Sequence, residues 1–202
     1  AQTNLPLRET INNASLVLPD GIGVVLASRL FGRKMPQRVT GVETVMSVAR
    51  LARQHRLRIF FLGAAPGIAE RAAARLVAEF PGLTVAGAYA GSPHVDEESE
   101  ICRRITEARA DILFIAYGAP KQELWIARNL HKLPVRVAVC VGGTFDFLAG
   151  VVTRAPEWVQ AIGLEWLYRL TKEPRRWRRM LALPRFAAAV INQRIAPRVT
   201  RP

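Results

Sequence analysis

Four short apolar runs, separated by single segments of helical length, constrain this chain more than any other feature. Residues 57–62 (LRIFFL), 83–88 (LTVAGA), 111–117 (DILFIAY) and 135–141 (VRVAVCV) each read as a strand hydrophobic on both faces. Between them, residues 67–80, 96–109 and 120–130 carry apolar residues at helical spacing and end at turn signals such as Pro81-Gly82. Strands of near-continuous hydrophobicity alternating with helices mean right-handed βαβ crossovers. The expected fold is α/β, a Rossmann-like parallel sheet with helices on both faces.

The flanks read differently. Residues 14–18 (ASLVL) predict a further strand, and residues 21–31 and 41–55 predict helices. After Gly150 strand signals stop. Residues 156–170 and 174–193 predict two helices parted at Pro174, which a helix interior tolerates poorly. The expected organisation is an α/β domain over 1–150 and a basic, Trp/Arg-rich helical appendage over 151–202.

Charge sharpens that division. The net charge is +13, and residues 151–202 hold ten arginines and one lysine against three glutamates. A segment so cationic seeks a polyanion: nucleic acid, anionic lipid or a phosphate-rich substrate. Its arginines are interleaved with Trp166, Tyr168 and Trp177, which suits a helix at a membrane interface as well as a solvated amphipathic face. No uninterrupted apolar stretch is long enough to span a bilayer, and no signal peptide is visible. Cys102 and Cys140 lack metal-ligand spacing and read as buried thiols of a reducing compartment. Three scattered histidines form no zinc pattern, and no D-x-D motif occurs, so no metal site is expected.

In a parallel sheet, ligands sit outside the carboxyl ends of the strands. The residues following each predicted strand are Pro19-Asp20-Gly21, Gly63-Ala64-Ala65-Pro66-Gly67, GAYAGS from Gly87, Gly118-Ala119-Pro120-Lys121-Gln122 and Gly142-Gly143-Thr144-Phe145-Asp146. Each contains glycine, and several open helices, whose free N–H groups attract phosphate. Asp20 is either a helix N-cap or a general base at the rim. Gln122 is either a solvated helix start or a pocket residue. Asp146, between two phenylalanines, needs a partner or a ligand. Arg38 is either a surface arginine or part of the pocket. Arginines of the appendage suit a diphosphate clamp, since guanidinium forks grip phosphate bidentately.

Taken together, LVLPDGIGVV, RVTGVE, FFLGAAPG, YGAPKQELW, GGTFDFLAGVVTRAPEWVQAIGLEWLYRL and the EPRRWRRM run resemble the WecG/TagA/CpsF glycosyltransferase family over roughly residues 11–183. Members make cell-surface polymers such as teichoic acids, enterobacterial common antigen and exopolysaccharides. The resemblance implies inverting transfer of N-acetylmannosamine, or a related hexose or uronic acid, from UDP to a sugar on a polyprenyl diphosphate. It places the catalytic aspartate on Asp20, pocket residues on Arg38 and Gln122, and the nucleotide-contacting aspartate on Asp146. The appendage, resembling a membrane-targeting element that completes the active site, carries its arginines onto Arg169, Arg176 and Arg179. The implied location is peripheral, on the cytoplasmic face of the membrane, against anionic lipid, and the family likeness admits a homo-oligomer. The family pattern opens with an upstream strand lining the acceptor side, which this chain, beginning at Ala1, lacks; a fragment or a shortened member is expected.

The resulting expectation is a metal-independent enzyme without a cofactor, with a UDP-sugar as donor. Asp20 takes the acceptor proton, the loops including Gly63 and Ala64 hold the nucleotide, and arginines offset the diphosphate. A nicotinamide oxidoreductase requires G-x-G-x-x-G after its first strand, and FLGAAPG has the wrong spacing. A nucleic-acid-binding protein accounts for the charge, but its clustering in a Trp-rich terminal segment without a binding motif argues against one.

Overall fold

The computed structural model of the protein describes residues 4–32, 35, 37–172, 174 and 177–195. The elements run α1 (Leu5–Asn12), α2 (Ile22–Leu30), α3 (Gly41–Gln54), β1 (Arg58–Gly63), α4 (Ile68–Glu79) and β2 (Thr84–Tyr89). They continue with α5 (Glu98–Glu107), β3 (Ile112–Ala116), α6 (Lys121–Asn129), β4 (Val137–Cys140) and α7 (Thr144–Leu148). The last four helices are α8 (Glu157–Ala161), α9 (Glu165–Lys172), α10 (Trp177–Met180) and α11 (Ala182–Ile195). The chain divides into two compact units, one of Ala1–Val17 with Gly41–Thr153 and one of Leu18–Thr40 with Arg154–Pro202.

The first unit holds a four-stranded sheet of order β2-β1-β3-β4, parallel throughout. Side chains alternate across a strand, so a strand covered on both sides must be apolar at every position. In β1, Ile59 and Phe61 point to a cluster with Val45 and Ala49 of α3, Leu76 of α4 and Phe145 of α7. Phe60 and Leu62 point to the opposite cluster with Ile101 and Ile105 of α5 and Trp125 of α6. Helices therefore cover both faces, as the hydrophobic runs predict. Phe61 meets Phe114 edge-on at 5.7 Å and Phe145 at 5.3 Å between ring centroids. On the α5–α6 side, buried Glu98 accepts a 2.7 Å hydrogen bond from Arg128 Nε, which offsets the cost of placing its charge inside.

Three sequence expectations are corrected. Residues 14–18 form no strand: the run is exposed, Leu16 to 74%, and pairs with no strand among the described residues. An apolar pattern becomes a strand only where a neighbour accepts its backbone hydrogen bonds. Residues 156–170 are two helices, because Gly163 turns left-handed (φ 76°) and its N–H closes onto Gln160 O, ending α8. Residues 174–193 are also two, α10 and α11. Pro184 sits in the first turn of α11, where its missing N–H does no harm, but would break a helix running through from Trp177. Helix α1, capped by the Asn4 side chain on Leu7 N–H at 3.0 Å, was not apparent from the sequence.

In the second unit, α2 packs against the α8–α9 turn and α11. A Cβ on buried Gly163 would lie 2.8 Å from Ile22 Cγ1, so this turn admits only glycine. Trp158, Ile162, Trp166, Leu167 and Trp177 remain exposed on this unit. Among the described residues, no helix is long and apolar enough to cross a membrane.

Replacing Phe61 by Ala should cost about 3–5 kcal/mol, the usual range for emptying a buried aromatic site. Leu16→Ala should stay within about 0.5 kcal/mol, as for exposed positions outside any element. Urea denaturation measures both, and a large loss at Leu16 would mean that residues 14–18 are buried after all.

Candidate active site

Chain direction locates the site within the sheet. From β1 the chain crosses on one face, through α4, to β2; it then returns on the other face, through α5, to β3 on the far side of β1. The switch point lies between β1 and β3, and there the loops leaving the two strands diverge toward opposite faces. Gly63 ends β1 opposite Ala116 of β3. Its φ is 104°, and a Cβ there would sit 2.9 Å from Ala116 C, so glycine is obligatory. Ala64 follows, also left-handed (φ 64°), and donates its N–H to Ala116 O at 3.1 Å.

Gln122 joins two other rim loops. Its Oε1 accepts from Gly118 N at 3.1 Å and from Gly142 N at 3.0 Å, and its Nε2 donates to Glu123 Oε1 at 2.8 Å. Both backbone neighbours are donors, so the atom facing them is the oxygen and the amide has one orientation. The residue is 5% exposed. Rather than a solvated helix start, Gln122 is a buried tie between the loops after β3 and β4. The N–H groups of Ala64, Gly118 and Gly142 are thereby committed within the protein.

Two polar atoms at this rim, Tyr117 Oη and Glu123 Oε2, are buried without a hydrogen-bond partner among the described residues. Burial, with the charge of Glu97 adding, pushes the Tyr117 hydroxyl well above its usual pKa. Burial also pushes the Cys140 thiol up to about 12, with Glu123 adding. The Cys102 thiol is raised by burial too. The two thiols are half-buried rather than fully buried as the sequence suggested, and the upward shifts suit structural cysteines, not nucleophiles. Asp146 occupies the first turn of α7 and is half-buried; its carbonyl receives the N–H groups of Val151 and Val152 at 3.0 and 3.1 Å.

In the second unit, Asp20 is exposed and precedes Gly21, the N-cap of α2, so it does not hold the cap position itself. Val39 N–H donates to Pro19 O at 3.1 Å, which sets the segments carrying Arg38 and Asp20 side by side. Arg38 also faces Glu165 Oε2 at 3.5 Å, and Arg154 Nε faces Glu165 Oε1 at 3.6 Å. Neither Glu165 nor Arg154 stood out in the sequence, because each sits in a helix-flanking pattern that an ordinary surface charge would also fit. Arg169 lies half-buried on α9. Arg176 lies outside the described residues, as does the side chain of Arg179.

A doubly covered parallel sheet with pinned glycine loops beyond its strands defines a protein of the Rossmann-like α/β class. The model of the glycosyl transferase WecG/TagA/CpsF family matches residues 1–200, and the chain belongs to that family. It is a glycosyltransferase. Three relatives bear the name N-acetylglucosaminyldiphosphoundecaprenol N-acetyl-beta-D-mannosaminyltransferase. The protein of Bacillus spizizenii is 38% identical over 95% of this chain and 74% of its own length. That of Bacillus subtilis is 34% identical over 92% and 72%. That of Staphylococcus aureus is 31% identical over 92% and 72%.

Gln122→Ala should destabilise the first unit by about 1–3 kcal/mol, because two buried N–H groups lose their acceptor. Gln122→Glu keeps both bonds but sets a second carboxylate against Glu123. That variant should therefore recover only part of the stability that Gln122→Ala loses. Urea denaturation checks both, and equal stability of all three proteins would refute the tie.

Proposed function

We propose that this chain transfers N-acetylmannosamine, or a related hexose or uronic acid, from UDP to a sugar on a polyprenyl diphosphate. The supporting relatives are named for N-acetyl-beta-D-mannosamine transfer to N-acetylglucosaminyldiphosphoundecaprenol. The observation that carries the reading is the rim of the sheet, where Gln122 holds two glycine loops at the switch point. This preorganises a surface for a nucleotide-sized ligand without spending ligand-binding energy on ordering loops.

In the proposed step, Asp20 accepts the proton of the acceptor hydroxyl as its oxygen attacks the anomeric carbon. The bond from that carbon to the diphosphate breaks in the same displacement, UDP leaves, and the configuration inverts. An exposed carboxylate outside the N-cap position suits a base that must meet a hydroxyl arriving from solution or a membrane surface. Arginines, among them Arg38, Arg169, Arg176 and Arg179, offset the charge of the departing diphosphate in place of a metal ion. Exposed Trp158, Trp166 and Trp177 among these cations suit peripheral contact with anionic lipid.

Asp20→Asn should lower transfer by at least about a hundredfold, the lower reach of a general base, while UDP binding changes little. Turnover near normal would remove Asp20 from that role. EDTA should leave turnover unchanged; loss of activity that Mn²⁺ restores would overturn the arginine-based account.

A further inference from the structure

The second unit sets Arg38 in a charge arrangement whose other two members, Glu165 and Arg154, have no role above. Glu165 opens α9 and is 14% exposed, with Arg38 at 19% and Arg154 at 28% on either side of it. One carboxylate faces two guanidiniums, so a largely enclosed cluster keeps a net positive charge. The separations of 3.5 and 3.6 Å give Coulomb attraction but lie at or past the limit of a hydrogen bond. Arg154 Nε is moreover buried with no hydrogen-bond partner among the described residues. A buried, ionised donor without a hydrogen bond is costly even beside a counter-charge, and proteins retain such a group where a ligand or an ordered water completes it.

We infer that Arg154 is a second anion-binding arginine, held beside Arg38 by their shared Glu165, and that the three side chains form a seat for a phosphate group. The chemistry follows from the donors. Two planar guanidiniums offer forks that match phosphate oxygens, and the surplus charge favours an anion over a neutral ligand. Glu165 acts as a positioning residue, because a carboxylate between two arginines holds both in place and keeps their mutual repulsion down. The Val39–Pro19 backbone bond sets this seat next to the segment of Asp20. The inference rests on the transferase reading, in which the phosphate belongs either to the nucleotide sugar or to the polyprenyl diphosphate.

Inorganic pyrophosphate, titrated into the full chain by calorimetry, is the probe. Arg154→Met should weaken its binding by about tenfold or more, the effect of losing charged hydrogen bonds. Arg29→Met, which removes an equal charge from an exposed site on α2, should change it far less. Arg154→Lys, which keeps the charge without the fork, should fall between them and serves if the Met variant does not fold. Glu165→Gln should melt lower than the parent yet gain more from added pyrophosphate, since the anion then neutralises two unpaired arginines. Equal losses in Arg154→Met and Arg29→Met, or no pyrophosphate gain in Glu165→Gln, would reduce the cluster to a structural ion triad and overturn the seat. A rise in KM for the UDP-sugar alone identifies the donor as the source, and a rise for the lipid acceptor alone identifies the acceptor. If transfer proceeds and Arg154→Met alters neither KM, the seat falls and the transferase reading stands. If no UDP-sugar supports transfer but pyrophosphate binding depends on Arg154, the donor assignment falls and the seat stands.

Discussion

The structure depends on a strand, β1, that is apolar from Ile59 to Leu62 because it is covered on both faces. β1 pairs with β2 on one side and β3 on the other, and its side chains alternate between two separate cores. That central place reverses the direction of the connections, and the reversal sends the loops after β1 and β3 to opposite faces of the sheet. Even the glycine at the end of β1 follows from this packing. Ala116 lies so near that no side chain fits, and a left-handed turn must carry the chain away.

A glycine loop usually suggests free N–H groups waiting for phosphate. Here Ala64, Gly118 and Gly142 direct theirs to Ala116 O and Gln122 Oε1. These bonds stiffen the loops and leave the three N–H groups committed within the protein. Tyr117 Oη and Glu123 Oε2, buried at the same rim without partners among the described residues, are the polar atoms whose burial a ligand would compensate.

Charge is divided between the units as sharply as secondary structure. The unit of residues 18–40 and 154–202 holds fifteen Lys and Arg against four Asp and Glu, a net +11. The α/β unit, with fourteen against twelve, carries only +2. A nearly neutral sheet is free to bury its surfaces under helices, whereas the basic unit repels itself and gains from any polyanion it meets. Exposed tryptophans and leucines beside those cations give the same unit an apolar component that a purely electrostatic surface lacks.

The sequence by itself determined the α/β class, the four sheet strands, the helices on both faces and the clustering of arginine near the end, because periodicity and composition are local properties. It also carried the family likeness, since PDG, YGAPKQ and GGTFDF can be read without coordinates. Only the tertiary structure decided that residues 14–18 are not a strand, since a strand exists through a neighbour and ASLVL pairs with none in the described sheet. Tertiary contacts likewise grouped residues 18–40 with the C-terminal helices, where Ile22 closes on Gly163. From the residues Gln122 was either a solvated helix start or a pocket residue, and its two bonds to Gly118 and Gly142 became visible only once the loops after β3 and β4 lay side by side. Glu165 met Arg38 and Arg154 for the same reason: ion pairs between distant residues are set by how segments pack, and no spacing along the chain encodes that.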